Sequence, residues 1–298
     1  MTRENERERA HHPAGIDPRD NAREEALVVQ WPASSPRRPT PHDDARAEAL
    51  VVQAADDASL PAAEQAANAT GAPLARDAAE GARARVILRA SSEGLALEGD
   101  GMTLRQDFAR MLPRLKPGRL RGELLVKAAR LKGPSEGAGP LVVDATAGLG
   151  EDALLLAAAG FRVRLFERNA VIALMLQDAL RRAASDPALA SIVARMEFSP
   201  GDSTRELPRM SPAPDVVYLD PMFPERTKSA AVKKKFQLLH HLEQPCDDEE
   251  ELLAAAFAAR PRKVVVKRPP KGPWLAGKKP SHSIEGKAVR YDCYVLPR

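Results

Sequence analysis

From Leu141 onward the chain alternates short apolar runs with longer stretches of helical spacing. "LVVDAT" is a compact apolar run, and "EDALLLAAAG" has helical character and stops at Gly160. "RVRLFERN" alternates apolar and polar residues, and "AVIALMLQDALRRAA" returns to helical spacing. "RMEFSPGD", "DVVYLD" and "RKVVVKRP" predict three further strands. Between the last two, "CDDEEELLAAAFAARP" opens on acids and continues as an apolar stripe, the order that suits a helix N-terminus. "IEGKAVRYDCYVL" predicts a closing hairpin that adds an antiparallel edge. Strand and helix in alternation predict a parallel sheet covered by helices, a Rossmann-like α/β domain over residues 134–298.

Upstream the pattern changes. "RVILRASSEGLALEGDGMTLRQDF" alternates around Ser91, Ser92, Glu93 and Gly94 as a β-hairpin does, which predicts a small β/α subdomain over 84–133. Next, Arg114, Lys116, Arg119 and Arg121 precede a helix that begins near Gly122. These charges sit on a Pro/Gly-containing connection, which reads as a solvated loop or as a nucleic-acid contact. Residues 1–83 are rich in Ala, Arg, Glu, Asp and Pro and predict a largely disordered leader. Within it "DNAREEALVVQ" at 20–30 recurs as "DDARAEALVVQ" at 43–53. Two copies are too few for a solenoid. They read as a local duplication, or as two short amphipathic helices that dock elsewhere.

Composition narrows the classes. No run of about 18 apolar residues exists to span a membrane, and the N-terminal "MTRENERERA" lacks the apolar core of a signal peptide, so the expected location is cytoplasmic. Cys246 and Cys293 cannot by themselves form a disulfide framework or a four-ligand zinc cluster. No metal is expected. Residues 1–83 carry 10 Arg, no Lys and 15 acids, whereas the remainder carries 35 basic and 26 acidic residues. A basic body behind an acidic leader suits a phosphate-rich partner or simply a soluble basic surface.

In open parallel sheets ligands bind beyond the carboxyl ends of the strands. Four predicted strands carry acids there. Asp144 leads into "ATAGLGEDA", where Gly148 and Gly150 let the backbone approach a ligand. "FERN" places Glu167 for ribose hydroxyls, "GDS" places Asp202 and Ser203 for an adenine, and the fourth strand ends in Asp220. A single acid reads as a turn or cap residue; four in equivalent places predict a nucleoside site. "GLGEDA" also fits G-x-G-x-x-A, which keeps an NAD-dependent oxidoreductase as an alternative. Against it, Glu151 and Asp152 open the following helix, where a pyrophosphate needs bare amides. A carboxylate-rich pocket suits S-adenosylmethionine, which is cationic and has no phosphate.

"DPMF" at 220–223 points to the chemistry. The lone pair of a nucleobase amine is delocalised into the ring. Asp220 and the Pro221 carbonyl can each accept one N–H and turn that lone pair outward, while Phe223 can stack on an extruded base. The plainer reading is that Pro221 and Pro224 end a buried strand and Phe223 belongs to the core. "KSAAVKKK" follows, with Lys228, Lys233, Lys234 and Lys235, and Lys267 and Arg268 end the fifth strand. These cations are expected to meet an RNA backbone; Lys278 and Lys279 read as solvated. His240 and His241 lie in an apolar helical stretch and read as structural.

"DATAGLGEDA", "FERN", "VVYLDPMFP", "KSAAVKKK" and "VVVKRP" together resemble the ribosomal RNA small subunit methyltransferase J family over roughly residues 85–298. The resemblance implies a class I S-adenosylmethionine-dependent fold that methylates guanine N2 in 16S ribosomal RNA. By motif position it implies cofactor contacts at Glu151, Asp152, Glu167, Arg168, Asp202, Ser203 and Asp220. Glu151 stands where the family often has arginine, which implies a contact through its backbone. A methyltransferase for DNA or adenine amines and a non-catalytic ribosome assembly factor stay open as alternatives.

Overall fold

A computed structural model describes residues 50–81, 84–131, 139–221, 238, 242 and 248–297. Two sheets organise them. The larger has seven strands in the order β10-β11-β9-β8-β5-β6-β7: β5 is Leu141–Asp144, β6 Arg162–Glu167, β7 Met196–Pro200, β8 Val216–Leu219, β9 Lys263–Arg268, β10 His282–Glu285 and β11 Arg290–Val295. β5 to β9 pair in parallel. β11 runs antiparallel to β9, and β10 antiparallel to β11. The chain steps outward from β5 through β6 to β7, then returns to β8 on the other side. β5 and β8 therefore flank the switch point, where a crevice opens beyond their carboxyl ends.

Alternation along each strand sends successive side chains to opposite faces. Val142, Val163, Leu165, Val216, Tyr218, Val265, Tyr291 and Cys293 share one core cluster with helix α2 (Leu124–Ala129) and helix α3 (Glu151–Ala158). Val143, Phe166, Val217, Leu219, Val264 and Val266 face the other way, against helix α6 (Glu249–Ala258). Leu154, Leu155 and Leu156 of α3 are buried, and each such side chain contributes about 1.5–3 kcal/mol.

The second sheet has the order β1-β2-β3-β4 (Leu50–Ala54, Val86–Ser91, Gly94–Gly99, Met102–Leu104). β2 and β3 form the expected hairpin. The expected leader needs correction. Leu50–Ala54 is an ordered strand, and it pairs in parallel with Val86–Ala90 through a crossover that contains helix α1 (Leu60–Thr70). The boundary placed between 83 and 84 thus falls inside a β-α-β unit, and the described residues belong to one compact unit. In the second copy of the duplication, "LVVQ" is strand rather than amphipathic helix; the first copy lies outside the described residues. The signal was hidden because α1 contacts the sheet through small residues, Ala63 and Ala66. A stretch of small residues looks like low complexity until its partner strand, more than 30 positions away, is in place.

The small sheet packs on helix α4 (Ala170–Ala184). Val171, Ile172, Leu174 and Met175 join the small-sheet core, whereas Leu176, Ala179, Leu180 and Ala183 join the large-sheet core. Buried Asp178 fixes the junction: it accepts from the Leu95 amide (3.0 Å) and pairs with Arg182, which donates to the Gln106 carbonyl (2.6 Å).

Candidate active site

The loop after β5 is held by both neighbouring strands. The Ala145 amide donates to Tyr218 O and the Ala147 amide to Phe166 O, each at 3.0 Å. The Gly148 amide donates to Glu167 Oε2 (2.9 Å) and the Asn169 amide to Oε1 (2.7 Å). Glu167 is buried, which raises its pKa, while those two amides pull it back down. With about four lone-pair sites, the carboxylate retains acceptor capacity for a hydroxyl donor. Gly148 takes a left-handed φ of +53° with nothing within 4 Å of a Cβ position, so the backbone there faces open space. Gly150 is different. At φ +78° its absent Cβ would lie 2.6 Å from Leu176 Cδ1, so this glycine allows close packing on α4 rather than on a ligand. Gln106 Nε2 donates to Leu149 O (2.7 Å), tying the loop to the N-terminal segment.

Asp144 is buried and accepts from the Thr146 amide (3.2 Å). Burial pushes its pKa well above the usual carboxylate range, and nearby Asp152 and Asp220 push in the same direction. Asp202 caps the short helix α5 (Ser203–Glu206), accepting from the Thr204 amide (3.0 Å) and hydroxyl (2.8 Å). Ser203 is buried beside it, and Arg168 pairs with Asp248 (2.8 Å). Glu151 and Asp152 occupy the first turn of α3, where their charge suits the helix dipole and repels a phosphate. The carboxylate acceptors of this edge therefore fit a cationic, phosphate-free nucleoside.

Beyond β8 the arrangement is built from side chains. The Asp220 amide donates to Thr146 Oγ1 (2.6 Å), joining the end of β8 to the β5 loop. Lys267 Nζ donates to Asp220 Oδ2 and to Asp152 Oδ2, both at 2.8 Å. The Tyr218 hydroxyl donates to the same Asp152 oxygen at 2.6 Å. Burial works against the Lys267 ammonium, yet Asp220 and Asp152 outweigh it and raise its pKa. Burial, then Asp152, raises that of Tyr218 well above the usual phenol range. Pro221 is buried directly after Asp220.

Arg114, Lys116, Arg119 and Arg121 are exposed in or directly after two short helical turns, Leu112–Leu115 and Pro117–Leu120. Arg114 forms a bidentate pair with Glu123 (3.1 and 3.0 Å), which raises its pKa, and the charges of Asp152 and Glu151 add to that effect. The basic connection thus lies within electrostatic reach of the α3 N-terminus.

A family described as "Putative SAM-dependent methyltransferase" matches residues 73–296. The ribosomal RNA small subunit methyltransferase J of Chromohalobacter salexigens is 44% identical over 232 residues, which cover 74% of this chain and 90% of that protein. Its namesake from Pseudomonas fluorescens is 43% identical over 242 residues, covering 78% and 90%. The solved structure of a SAM-dependent methyltransferase from Neisseria gonorrhoeae is 30% identical, with a TM-score of 0.64, and covers 83% of this chain and 95% of that one. The chain belongs to the ribosomal RNA small subunit methyltransferase J family. Its fold is the Rossmann-like α/β fold of class I enzymes, and its cofactor is S-adenosylmethionine.

Within this methyltransferase J fold, Asp144, Gly148, Gly150, Glu151, Asp152, Glu167, Arg168, Asp202, Ser203, Asp220 and Pro221 all lie at or just beyond the carboxyl ends of β5 to β8. Phe223, Lys228, Lys233, Lys234, Lys235, His240 and His241 lie outside the described residues. Two expected RNA contacts need correction. Arg268 has only 2% of its surface exposed, on the α6 face, where it donates to Pro273 O (2.8 Å) and pairs with Glu249 (3.4 Å). Strand alternation sends it away from the Asp220 face. Lys267 does lie on that face but turns inward between two carboxylates. Sequence reasoning missed Gln106, Thr146 and Tyr218, whose partners are distant in sequence: a loop carbonyl for Gln106, and neighbours set by strand register for Thr146 and Tyr218. Among the described residues no group of His, Cys, Asp and Glu is placed to hold a metal.

Proposed function

We propose that the chain methylates the exocyclic N2 amine of a guanine in 16S ribosomal RNA, free or within the small subunit, in the cytoplasm. The observation that carries this reading is Asp220-Pro221 at the end of β8, bonded through Thr146 to the loop that frames the acidic edge of β5 and β6. S-adenosylmethionine supplies a methyl group on a sulfonium. Glu167 would receive the ribose hydroxyls, Asp202 and Ser203 the adenine, and the acids at the start of α3 the cationic end. Asp220 and the Pro221 carbonyl take the two N–H bonds of the amine, so its lone pair turns toward the β5 edge. The gain comes from positioning and from exclusion of water. Phe223 completes the reading as a stacking surface, and Arg114, Lys116, Arg119, Arg121, Lys228, Lys233 and Lys234 receive the RNA backbone. No helix among the described residues is long and apolar enough to cross a membrane.

The test is deletion of the gene followed by mass-spectrometric mapping of 16S RNA. One guanine methylation is expected to vanish and to return with the wild-type gene but not with Asp220→Ala. Return with Asp220→Ala overturns the mechanism. An unchanged methylation map overturns the proposed substrate.

A further inference from the structure

We infer that Lys267 is a positioning residue of the transfer reaction, one that fixes Asp220 against the helix that bears the cofactor edge. The inference rests on the proposed role of Asp220. Register supplies the first support. Tyr218 pairs with Val265 and Leu219 with Val266, so Asp220 and Lys267 are the next residues on the two strands; Lys267 in turn pairs with Tyr291 on β11. Asp220, Lys267 and Tyr291 therefore form one row across three neighbouring strands, on the face that carries α3.

Chemistry supplies the second support. One ammonium donates to Asp220 at the end of β8 and to Asp152 in the first turn of α3, both at 2.8 Å. Without it two carboxylates would face each other across the crevice, with buried Asp144 close by. Like charges in a partly buried site repel, and Asp220 would move away from the position in which it accepts an amine N–H. The Tyr218 hydroxyl on the same Asp152 oxygen fixes the far end of the bridge (2.6 Å). Lys267 thus links the residue that aims the amine to the element that holds the cofactor.

The experiment uses the full chain with undermethylated small subunits. Lys267→Met is expected to lower the single-turnover rate about 100-fold, the loss that follows from a misplaced reacting group, while S-adenosylhomocysteine affinity and subunit affinity change less than about threefold. Lys267→Arg, which keeps a donor cation, is expected to recover much of the rate. In an Asp220→Asn background Lys267→Met should cost nothing further, because the lysine acts through Asp220. A wild-type rate in Lys267→Met, or additive losses in the double variant, overturns the inference. If Lys267→Met misfolds, Lys267→Gln, which keeps a neutral donor between the two carboxylates, takes its place. It should fold and stay slower than Lys267→Arg, and a wild-type rate overturns the inference equally. Failure of the parent reading differs: Asp220→Ala would then retain transfer.

Discussion

The two halves of the acidic edge hold their carboxylates by different means. Over β5 and β6, Asp144 and Glu167 are buried and held by backbone amides of Thr146, Gly148 and Asn169. Over β8 and β9, Asp152 and Asp220 are held by side chains, the Lys267 ammonium and the Tyr218 hydroxyl. Backbone donors are fixed by the fold itself, so the first half is preformed. Side-chain donors depend on rotamers as well as on the fold, so the second half can be retuned with less disturbance to the sheet. On the proposed function, the first half chiefly serves ligand affinity and Asp220 in the second chiefly serves rate.

The comparison breaks most directly at Asp220. Asp220→Ala is expected to lower methyl transfer at least about 100-fold while S-adenosylhomocysteine binding, read by calorimetry, weakens only modestly. Equal losses in rate and affinity would erase the division of labour. Glu167→Ala tests the other half. Removal of this carboxylate strands the Gly148 and Asn169 amides, which lowers stability, and it also takes away the proposed acceptor of the ribose hydroxyls, a charge-assisted bond of about 1.5–3 kcal/mol, so affinity should fall about 10- to 100-fold. Transfer at saturating cofactor should change far less. A kcat defect with unchanged affinity would show that Glu167 serves the chemistry instead.

These halves were unequally legible in the sequence. Asp144, Glu167 and Asp220 announced themselves as acids directly after apolar runs, because the strand pattern is local and the ligand edge follows from topology. The internal partners of those acids did not. Thr146, Tyr218 and Lys267 acquire their roles from register between β5, β8 and β9, which lie 40 or more residues apart. Lys267 and Arg268 look alike as "VVVKRP", yet a one-residue step sends them to opposite faces, one into the site and one against α6. A lysine beside an arginine reads as a charged patch until the faces are assigned. β1 was hidden for the same reason, since a short strand with a small-residue helix gains its meaning only from β2.

A smaller effect is expected at the surface beside the site. Lys116→Ala, Arg119→Ala and Arg121→Ala together should weaken RNA binding by about tenfold at moderate salt. The slope of log affinity against log salt should shrink by roughly 0.7 for each lost contact to single-stranded RNA. S-adenosylhomocysteine binding should not move. An unchanged salt slope would remove this segment from the RNA surface and leave the lysine-rich stretch 228–235 to carry it.

The smallest expected effect concerns Asp144 and reports on the preformed half alone. Burial raises its folded pKa above the unfolded value near 4, so the native state binds more protons than the unfolded state between those two values. Stability conferred by this group is present below the unfolded pKa and declines as pH rises through the folded one. Glu167, raised by the same cause, adds to the decline. Asp144→Asn keeps an oxygen for the Thr146 amide and removes the buried charge. Its melting temperature should therefore match wild type near pH 4 and exceed it by a few degrees at pH 8, given about 2–4 °C per kcal/mol for a domain of this size. Melts at the two pH values decide the point. If wild type is the more stable protein at pH 8, the Asp144 carboxylate is compensated there by a cation, and this half would resemble the other, with Lys267 serving both.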